Sequence, residues 1–350
     1  MSLSWLGEKL VEWYGVNGRR LPWRETTDPY KIWISEIILQ QTRVAQGRDY
    51  YERFISRFPD VQSLASASDD EVMRLWQGLG YYTRARNLLK AARRIAQMPF
   101  FPRDYDTLLT LNGIGRYTAA AVASISSGQP VAVVDGNVYR VMARFCCERT
   151  PIDTTAGRRR FDELASRFLL RNCAAVYNQA IMDFGALICT PRSPQCNVCP
   201  LAERCQALSQ DMVTELPVKS RKSQQAVIYM IFVEVRHASR GCLLHRRDQK
   251  GIWQGLYEPV VMESDHMLTP RQVAQSEELR PILSAGSSAL KRVLKGVKHV
   301  LTHRIILADY YVLSTDTAYC PEGYFYAADP AAYAVPVLLS KLRRQSGGGV

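Results

Sequence analysis

Apolar residues recur at intervals of three and four through residues 1 to about 206, the signature of helices with one buried face. The stretches "WISEIILQQTRVAQGRDYYERFISRF", "DDEVMRLWQGLGYYTRARNLLKAARRIA" and "GRRRFDELASRFLLRN" show it most clearly. Residues 207–225, "ALSQDMVTELPVKSRKSQQ", are polar and basic with one proline, and predict a linker. From residue 226 the pattern changes. "AVIYMIFVEV", "GCLLHRR", "HRIILADYYVLS" and "GYFYAAD" are rich in β-branched and aromatic residues and predict strands. The tail "AAYAVPVLLSKLRRQ" predicts a closing helix. The expected organisation is a mainly α region over 1–206, a linker over 207–225 and an α+β domain over 226–350.

A chain of 350 residues with 47% apolar residues can build two such cores. Its formal charge of +12 favours a polyanionic partner. The N-terminal segment is amphipathic and charged throughout, unlike a secretory signal. No apolar run is long enough to span a bilayer. A cytoplasmic protein with no membrane association is therefore expected, and there thiols stay reduced.

Four of the nine cysteines fall within residues 189–205: Cys189, Cys196, Cys199 and Cys205, separated by six, two and five residues. Reduced and this dense, they read as metal ligands. Zinc sites commonly use a C-x2-C element, but usually two of them set far apart. One C-x2-C flanked closely by single cysteines suits a 4Fe–4S cubane better, since each iron takes one thiolate. Cys146, Cys147, Cys173, Cys242 and Cys320 show no ligand spacing.

"LNGIGRYTAAAVASI" places Gly113 and Gly115 between two helical segments. Glycines permit the tight turn, and the free N–H groups of the next helix suit a phosphate. On this segment alone an ordinary αα-turn fits equally well. Asp135 in "VVDGNVYRVMARF" precedes a helix, so by itself it reads as an N-cap. Glu36 is an acid embedded in the apolar run "WISEIILQQT".

Taken together and in order, "LPWR", "SEIILQQT", "GLGYY", the glycine hairpin, "VDGNV" and the cysteine spacing resemble the helix-hairpin-helix DNA glycosylases that carry an iron–sulfur cluster, most closely their adenine-specific branch. The resemblance covers almost the whole chain. It implies a six-helix barrel, a 4Fe–4S cluster domain and a C-terminal Nudix-like domain. The substrate it implies is double-stranded DNA containing adenine opposite 8-oxoguanine or guanine, handled by a monomer that is nucleoid-associated in a bacterium. The endonuclease III branch has a lysine after the Gly-Arg of the hairpin, whereas Tyr117 stands here. The resemblance therefore implies a glycosylase without efficient lyase activity. A glycosylase/lyase acting on oxidised pyrimidines is the alternative, and a ferredoxin-like electron carrier is a rival from another class.

The resemblance also implies roles. Glu36 protonates the adenine ring, and burial would keep its carboxyl protonated near neutrality. Asp135 stabilises the oxocarbenium ion, oriented by Asn137, with Tyr117 hydrogen-bonded nearby. Arg24 and Gln179 line the adenine pocket, Gln41 and Tyr81 wedge into the duplex, and the backbone at Gly113 and Gly115 holds phosphate. The cluster loop, with Arg192 and Arg204, would face the DNA backbone. In the C-terminal region the family's phenylalanine–serine–histidine loop is matched by Leu301, Thr302 and His303, preceded by His299. There "GIWQGLYEPVV" resembles the segment before a Nudix box, but "ESDHMLTPRQVAQSEEL" lacks the box's arginine and glutamate cluster, so no nucleotide hydrolysis is expected.

Overall fold

The structure is a computed structural model that describes residues 4–220, 225–301, 303–317 and 319–347. Its helices up to residue 209 are α1 (Ser4–Asn17), α2 (Pro29–Leu39), α3 (Val44–Arg57), α4 (Val61–Ala65), α5 (Asp69–Trp76), α6 (Thr83–Ile95), α7 (Tyr105–Leu109), α8 (Arg116–Ser127), α9 (Gly136–Phe145), α10 (Thr155–Phe168), α11 (Ala174–Leu187) and α12 (Gln206–Ser209). The chain divides into two compact units, Met1–Ser66 with Asn87–Lys222, and Ala67–Arg86 with Ser223–Val350. Among the described residues no helix is long and apolar enough to cross a membrane.

In the first unit α2 is the helix that matters most. Asp28 caps it by accepting from the Tyr30 N–H at 2.9 Å, and Pro29 follows at the first turn, where a missing N–H costs nothing. Every residue from Ile32 to Ile38 is buried, including Glu36. A helix apolar on all sides belongs inside a core. Its neighbour α8 supplies Ala119, Ala120, Ala121 and Ala123, all buried, which let the two backbones approach closely. Truncating Trp33, which has no exposed surface, would cost about 3–5 kcal/mol.

Between α8 and α9 the chain has no regular structure, and the fully buried Asn178 of α11 ties it down. Asn178 accepts from Val133 N–H at 3.2 Å and donates to the Val131 carbonyl at 2.8 Å and to Ser124 Oγ at 2.9 Å. This clamp fixes the point from which α9 springs, at Asp135.

The stretch expected as a linker is largely folded onto this unit. Ala207 and Leu216 join its core, the Leu216 carbonyl accepts from Arg144 Nε, and Ile152 N–H donates to the Val218 carbonyl at 3.0 Å. Ser220 N–H donates to Asp153 Oδ1 at 2.9 Å. Polar composition concealed a few well-spaced apolar anchors.

The second unit is built on a mixed sheet. Its strands are β1 (Ala226–His237), β2 (Gly241–Arg246), β3 (Tyr257–Glu258), β4 (Val260–Ser264), β5 (Ser288–Val300), β6 (Arg304–Thr315) and β7 (Tyr324–Ala327). The main path runs β3-β2-β1-β6-β5, with β4 against β1 and β7 against β2. β1 and β6 pair in parallel from Ala226↔Arg304 to His237↔Thr315, and the other pairs are antiparallel. The middle of β1 is buried on both faces, as its unbroken apolar run requires. Helices α13 (Pro270–Ala274), α14 (Arg280–Ser284) and α15 (Val337–Gln345) complete the unit. An α+β domain thus follows the helical region, as expected. Segment 67–86, including α5, belongs to this unit.

Candidate active site

Glu36, Tyr117 and Asp135 come from α2, α8 and the start of α9, and all three line one cavity of about 660 Å³. Arg24, Asn137 and Gln179 line it too. Six positions scattered over more than 150 residues of sequence are therefore gathered at one place, all within the first unit.

Glu36 is only 7% exposed. Burial pushes its carboxyl up to about 7, opposed by a hydrogen bond from Tyr117 and by the Arg24 charge, and assisted by the nearby Asp135 charge. The Tyr117 hydroxyl also lies 3.2 Å from Met182 Sδ. A carboxyl held this way can give up a proton near neutrality.

Asp135 is the N-cap of α9, so the structural reading of the sequence holds as well. Its Oδ1 accepts from Asn137 N–H at 2.9 Å and Val138 N–H at 2.8 Å, while Oδ2 accepts from Asn137 Nδ2 at 2.8 Å. Burial pushes its carboxyl up, and these three donors oppose the shift. Asn137 is held in turn by Arg140, whose guanidinium donates to Asn137 Oδ1 at 2.8 Å, to the Cys189 carbonyl at 2.6 Å and to the Gly185 carbonyl. A Cβ at Gly185 would stand 2.7 Å from the Asn137 Cβ, so only glycine lets α11 come this close to α9.

Arg24 and Gln179 are anchored by groups that sequence reasoning missed. Asp183 of α11 is fully buried and receives both Arg24 and Arg19, including Arg24 to Oδ1 at 2.7 Å. The two guanidiniums overcome the burial that would raise its pKa and hold it below the usual carboxylate range. Gln179 Oε1 accepts from the Tyr14 hydroxyl at 2.8 Å. An acid inside "AIMDFGALI" carries the same signal that singled out Glu36.

The remaining candidates lie outside this cavity. The glycine hairpin connects α7 to α8. Gly113 has φ +74° and a Cβ there would meet the Asn87 Cβ at 2.7 Å, while Gly115 is the N-cap of α8. Gln41 and Tyr81 both have positive φ, +58° and +48°, and the Tyr81 ring is 48% exposed. A bulky side chain in that backbone region marks strain that packing alone rarely keeps. Behind the Tyr81 ring lies Arg84, 5.8 Å from its centre, which donates to the Leu79 and Gly80 carbonyls. In the second unit His303 is exposed just before β6, and Thr302 lies outside the described residues.

Cys189, Cys196, Cys199 and Cys205 rim a separate small cavity with Arg144. None of the four is in a disulfide. Among the described residues no three His, Cys, Asp or Glu side chains are grouped to hold a metal ion. The four thiols line one space, and a cubane takes one thiolate at each iron. Arg144 donates to Cys189 Sγ at 3.4 Å and to the Thr190 and Pro191 carbonyls, so the loop is braced from α9. Of the two loop cations, Arg192 is exposed, whereas Arg204 lies 4.3 Å from the centre of the Trp5 ring.

Residues 34–166 match the HhH-GPD superfamily of base excision DNA repair proteins, and residues 189–205 match the iron–sulfur binding domain of endonuclease III. An adenine DNA glycosylase of Buchnera aphidicola subsp. Schizaphis graminum is 35% identical over 73% of this chain and 75% of its own length. One from Buchnera aphidicola subsp. Baizongia pistaciae is 32% identical over 85% and 82%. The chain belongs to the adenine DNA glycosylase family.

Among solved structures, a thermostable thymine-DNA glycosylase superposes with a TM-score of 0.54 at 28% identity, covering 59% of this chain and 95% of that one. As an adenine DNA glycosylase family member, the protein is a base-excision enzyme that acts on N-glycosyl bonds and binds DNA. The glycosylase/lyase alternative is not favoured, because the relatives over most of the chain are adenine glycosylases. The family also settles zinc against iron in favour of a 4Fe–4S cluster. The match begins and ends on the first and last of the four cysteines.

Proposed function

We propose that the protein flips adenine, mispaired with 8-oxoguanine or guanine, out of duplex DNA and hydrolyses its bond to the sugar. What carries this reading is the cavity in which Glu36, whose carboxyl burial pushes up to about 7, shares space with Asp135, whose ionised form three N–H donors favour against burial. Extrusion costs a few kcal/mol, met by contacts to the base and by a wedge at the vacated stack. Glu36 gives its proton to a ring nitrogen of adenine. The glycosidic bond then breaks, its electron pair leaves with the base, and positive charge develops on the sugar. Asp135, oriented by Asn137, stabilises that charge, directly or as a transient adduct. Water adds to the sugar carbon, and its proton returns to the Glu36 carboxylate.

In the same proposal Arg24 and Gln179 hold the base, and Gln41 and Tyr81 fill the space it leaves. The hairpin at Gly113 and Gly115 holds phosphate. Cys189, Cys196, Cys199 and Cys205 ligate the cluster, which supplies a rigid framework for the loop when bound. Chemistry belongs to residues 1–206, and residues 226–350, through Thr302 and His303, read the base opposite. The protein works as a cytoplasmic monomer, associated with the nucleoid in a bacterium. Tyr117 in place of a lysine leaves no amine to attack the sugar, which supports simple hydrolysis.

The test offers the protein duplexes carrying adenine opposite 8-oxoguanine, adenine opposite guanine, or thymine glycol opposite adenine, followed by alkali. Strand breaks in the first two are expected. Breaks confined to the thymine glycol duplex, appearing without alkali, would overturn the reading.

A further inference from the structure

Five non-glycine residues among those described have positive φ: Gln41, Tyr81, Cys147, Asp211 and Trp253. The first two are the wedge candidates. Trp253 has φ +61°, and nothing in the catalytic scheme uses it. For a side chain this bulky the left-handed region is a true outlier, and a glycine or asparagine there would relieve it. The ring gives the reason to keep tryptophan. It is 8% exposed, with its centre 6.4 Å from that of Phe232 and 6.3 Å from that of His299. The loop that carries it is closed on itself. Gly255 N–H donates to the Arg247 carbonyl at 2.7 Å, Leu256 N–H to the Trp253 carbonyl at 3.0 Å, and Arg247 N–H to the Leu256 carbonyl at 2.9 Å.

His299 stands near the end of β5, just before the turn that holds Leu301 and His303. That turn is tied by Ala226 N–H, which donates to the His303 carbonyl at 3.2 Å, and by the Gln225 side chain, whose Nε2 donates to the Leu301 carbonyl at 2.8 Å. Lys341 Nζ donates to the Lys298 carbonyl at 3.2 Å, beside His299. The turn is therefore anchored on β1, on α15 and within itself, where Leu301 N–H donates to the Arg304 carbonyl at 2.8 Å, and the Trp253 ring adds an aromatic contact to His299 at its β5 edge.

We propose that Trp253 is a positioning residue that sets the β5–β6 turn through the ring of His299, and so governs discrimination of the base opposite adenine. This rests on the reading that the turn recognises that base. Trp253→Leu keeps apolar bulk but offers no ring face, Trp253→Phe keeps a ring, and His299→Ala removes the partner. Single-turnover excision is measured for all three and the parent, on adenine opposite 8-oxoguanine and opposite guanine, side by side at fixed salt.

Trp253→Leu should lower the ratio of the two rates by about fivefold, the scale of one ring pair, while the rate opposite guanine stays within about twofold. Trp253→Phe should retain most of the ratio. Trp253→Leu combined with His299→Ala should be no worse than either alone. A merely structural role would lower both rates together and leave the ratio unmoved, which overturns the proposal. So would an unchanged ratio in Trp253→Leu and His299→Ala. If Trp253→Leu does not fold, His299→Ala alone decides, since its ratio must fall. A parent ratio near one would remove the recognition reading itself, and the role of Trp253 with it.

Discussion

Replacing Glu36 by glutamine should have opposite effects on stability and on activity. The carboxyl is buried and titrates at about 7, against an ordinary value of 4.5. Between those two pH values the folded state holds a proton that the unfolded chain has lost. Stability therefore falls as pH rises: the contribution is complete below 4.5 and gone once pH passes about 7. The free energy separating the two titrations is about 3 kcal/mol. Glutamine has nearly the same shape and never ionises. Near pH 4.5 the variant and the parent should be almost equally stable, and at pH 8 the variant should be the more stable by up to about 3 kcal/mol.

Excision should move the other way. Removing a general acid costs roughly 10²- to 10⁴-fold in rate. The parent's own single-turnover rate should decline above about pH 7 as Glu36 loses its proton. The assay pairs denaturant unfolding of both proteins at pH 4.5, 6 and 8, as approximate settings, with excision across the same range. The stability difference must grow with pH. A difference that stays flat, or a variant less stable than the parent at pH 8, would show that Glu36 is ionised in the folded protein and refute the argument from burial. Near-parental excision by the variant would refute its role as acid.

Asp135→Asn removes charge and keeps volume, and asparagine caps helices as well as aspartate, so the protein should fold and bind a mispaired duplex normally while single-turnover excision is abolished. Borohydride should trap little covalent protein–DNA adduct, and Tyr117→Lys should increase trapping by supplying an amine in the same cavity. Asp183→Asn leaves Arg19 and Arg24 without their carboxylate and should cost about 3 kcal/mol at pH 7, read by denaturant unfolding. Protein purified without oxygen should carry about four irons and four acid-labile sulfides, and loss of any one of the four cysteines should lower that content.

How far a residue's role could be read from sequence depended on the distance to its partners. Glu36 stood out because its neighbours along α2 are apolar, and those neighbours bury it. Asp135 and Asn137 stood out because the cap and its donors lie within three residues of each other. Asp183 has the same local signal as Glu36 but a different fate, because its partners Arg19 and Arg24 lie 164 and 159 residues away. The bracing of Asn137 by Arg140 likewise depends on Cys189 and Gly185, which only the packing of α11 on α9 brings near. Strands β1, β2, β6 and β7 were legible from β-branched and aromatic runs. β5 was not: Leu290, Val293, Leu294 and Val297 recur at helical spacing, and pairing with β6 overrides that pattern. The 67–86 segment belongs to the second unit although its sequence has the same helical periodicity as the first, because periodicity shows that a helix buries a face and not what it buries it against.

Glu36, Asp135 and Asp183 show why partners, and not burial alone, decide what a carboxyl can do. All three are removed from water, and burial pushes each upward. Asp183 meets two full positive charges, so the outcome reverses and it stays an anion that anchors Arg24. Asp135 meets three N–H donors, partial charges that oppose burial and favour the ionised form. Glu36 meets a tyrosine hydroxyl and the more distant Arg24, and its titration settles near neutrality. Glycosidic cleavage needs one group that can give a proton and another that can face a developing cation. Two identical environments could not supply both. The different donors that α2, α8 and α9 present to Glu36 and Asp135 make one side chain fit to be the acid and the other fit to be the anion.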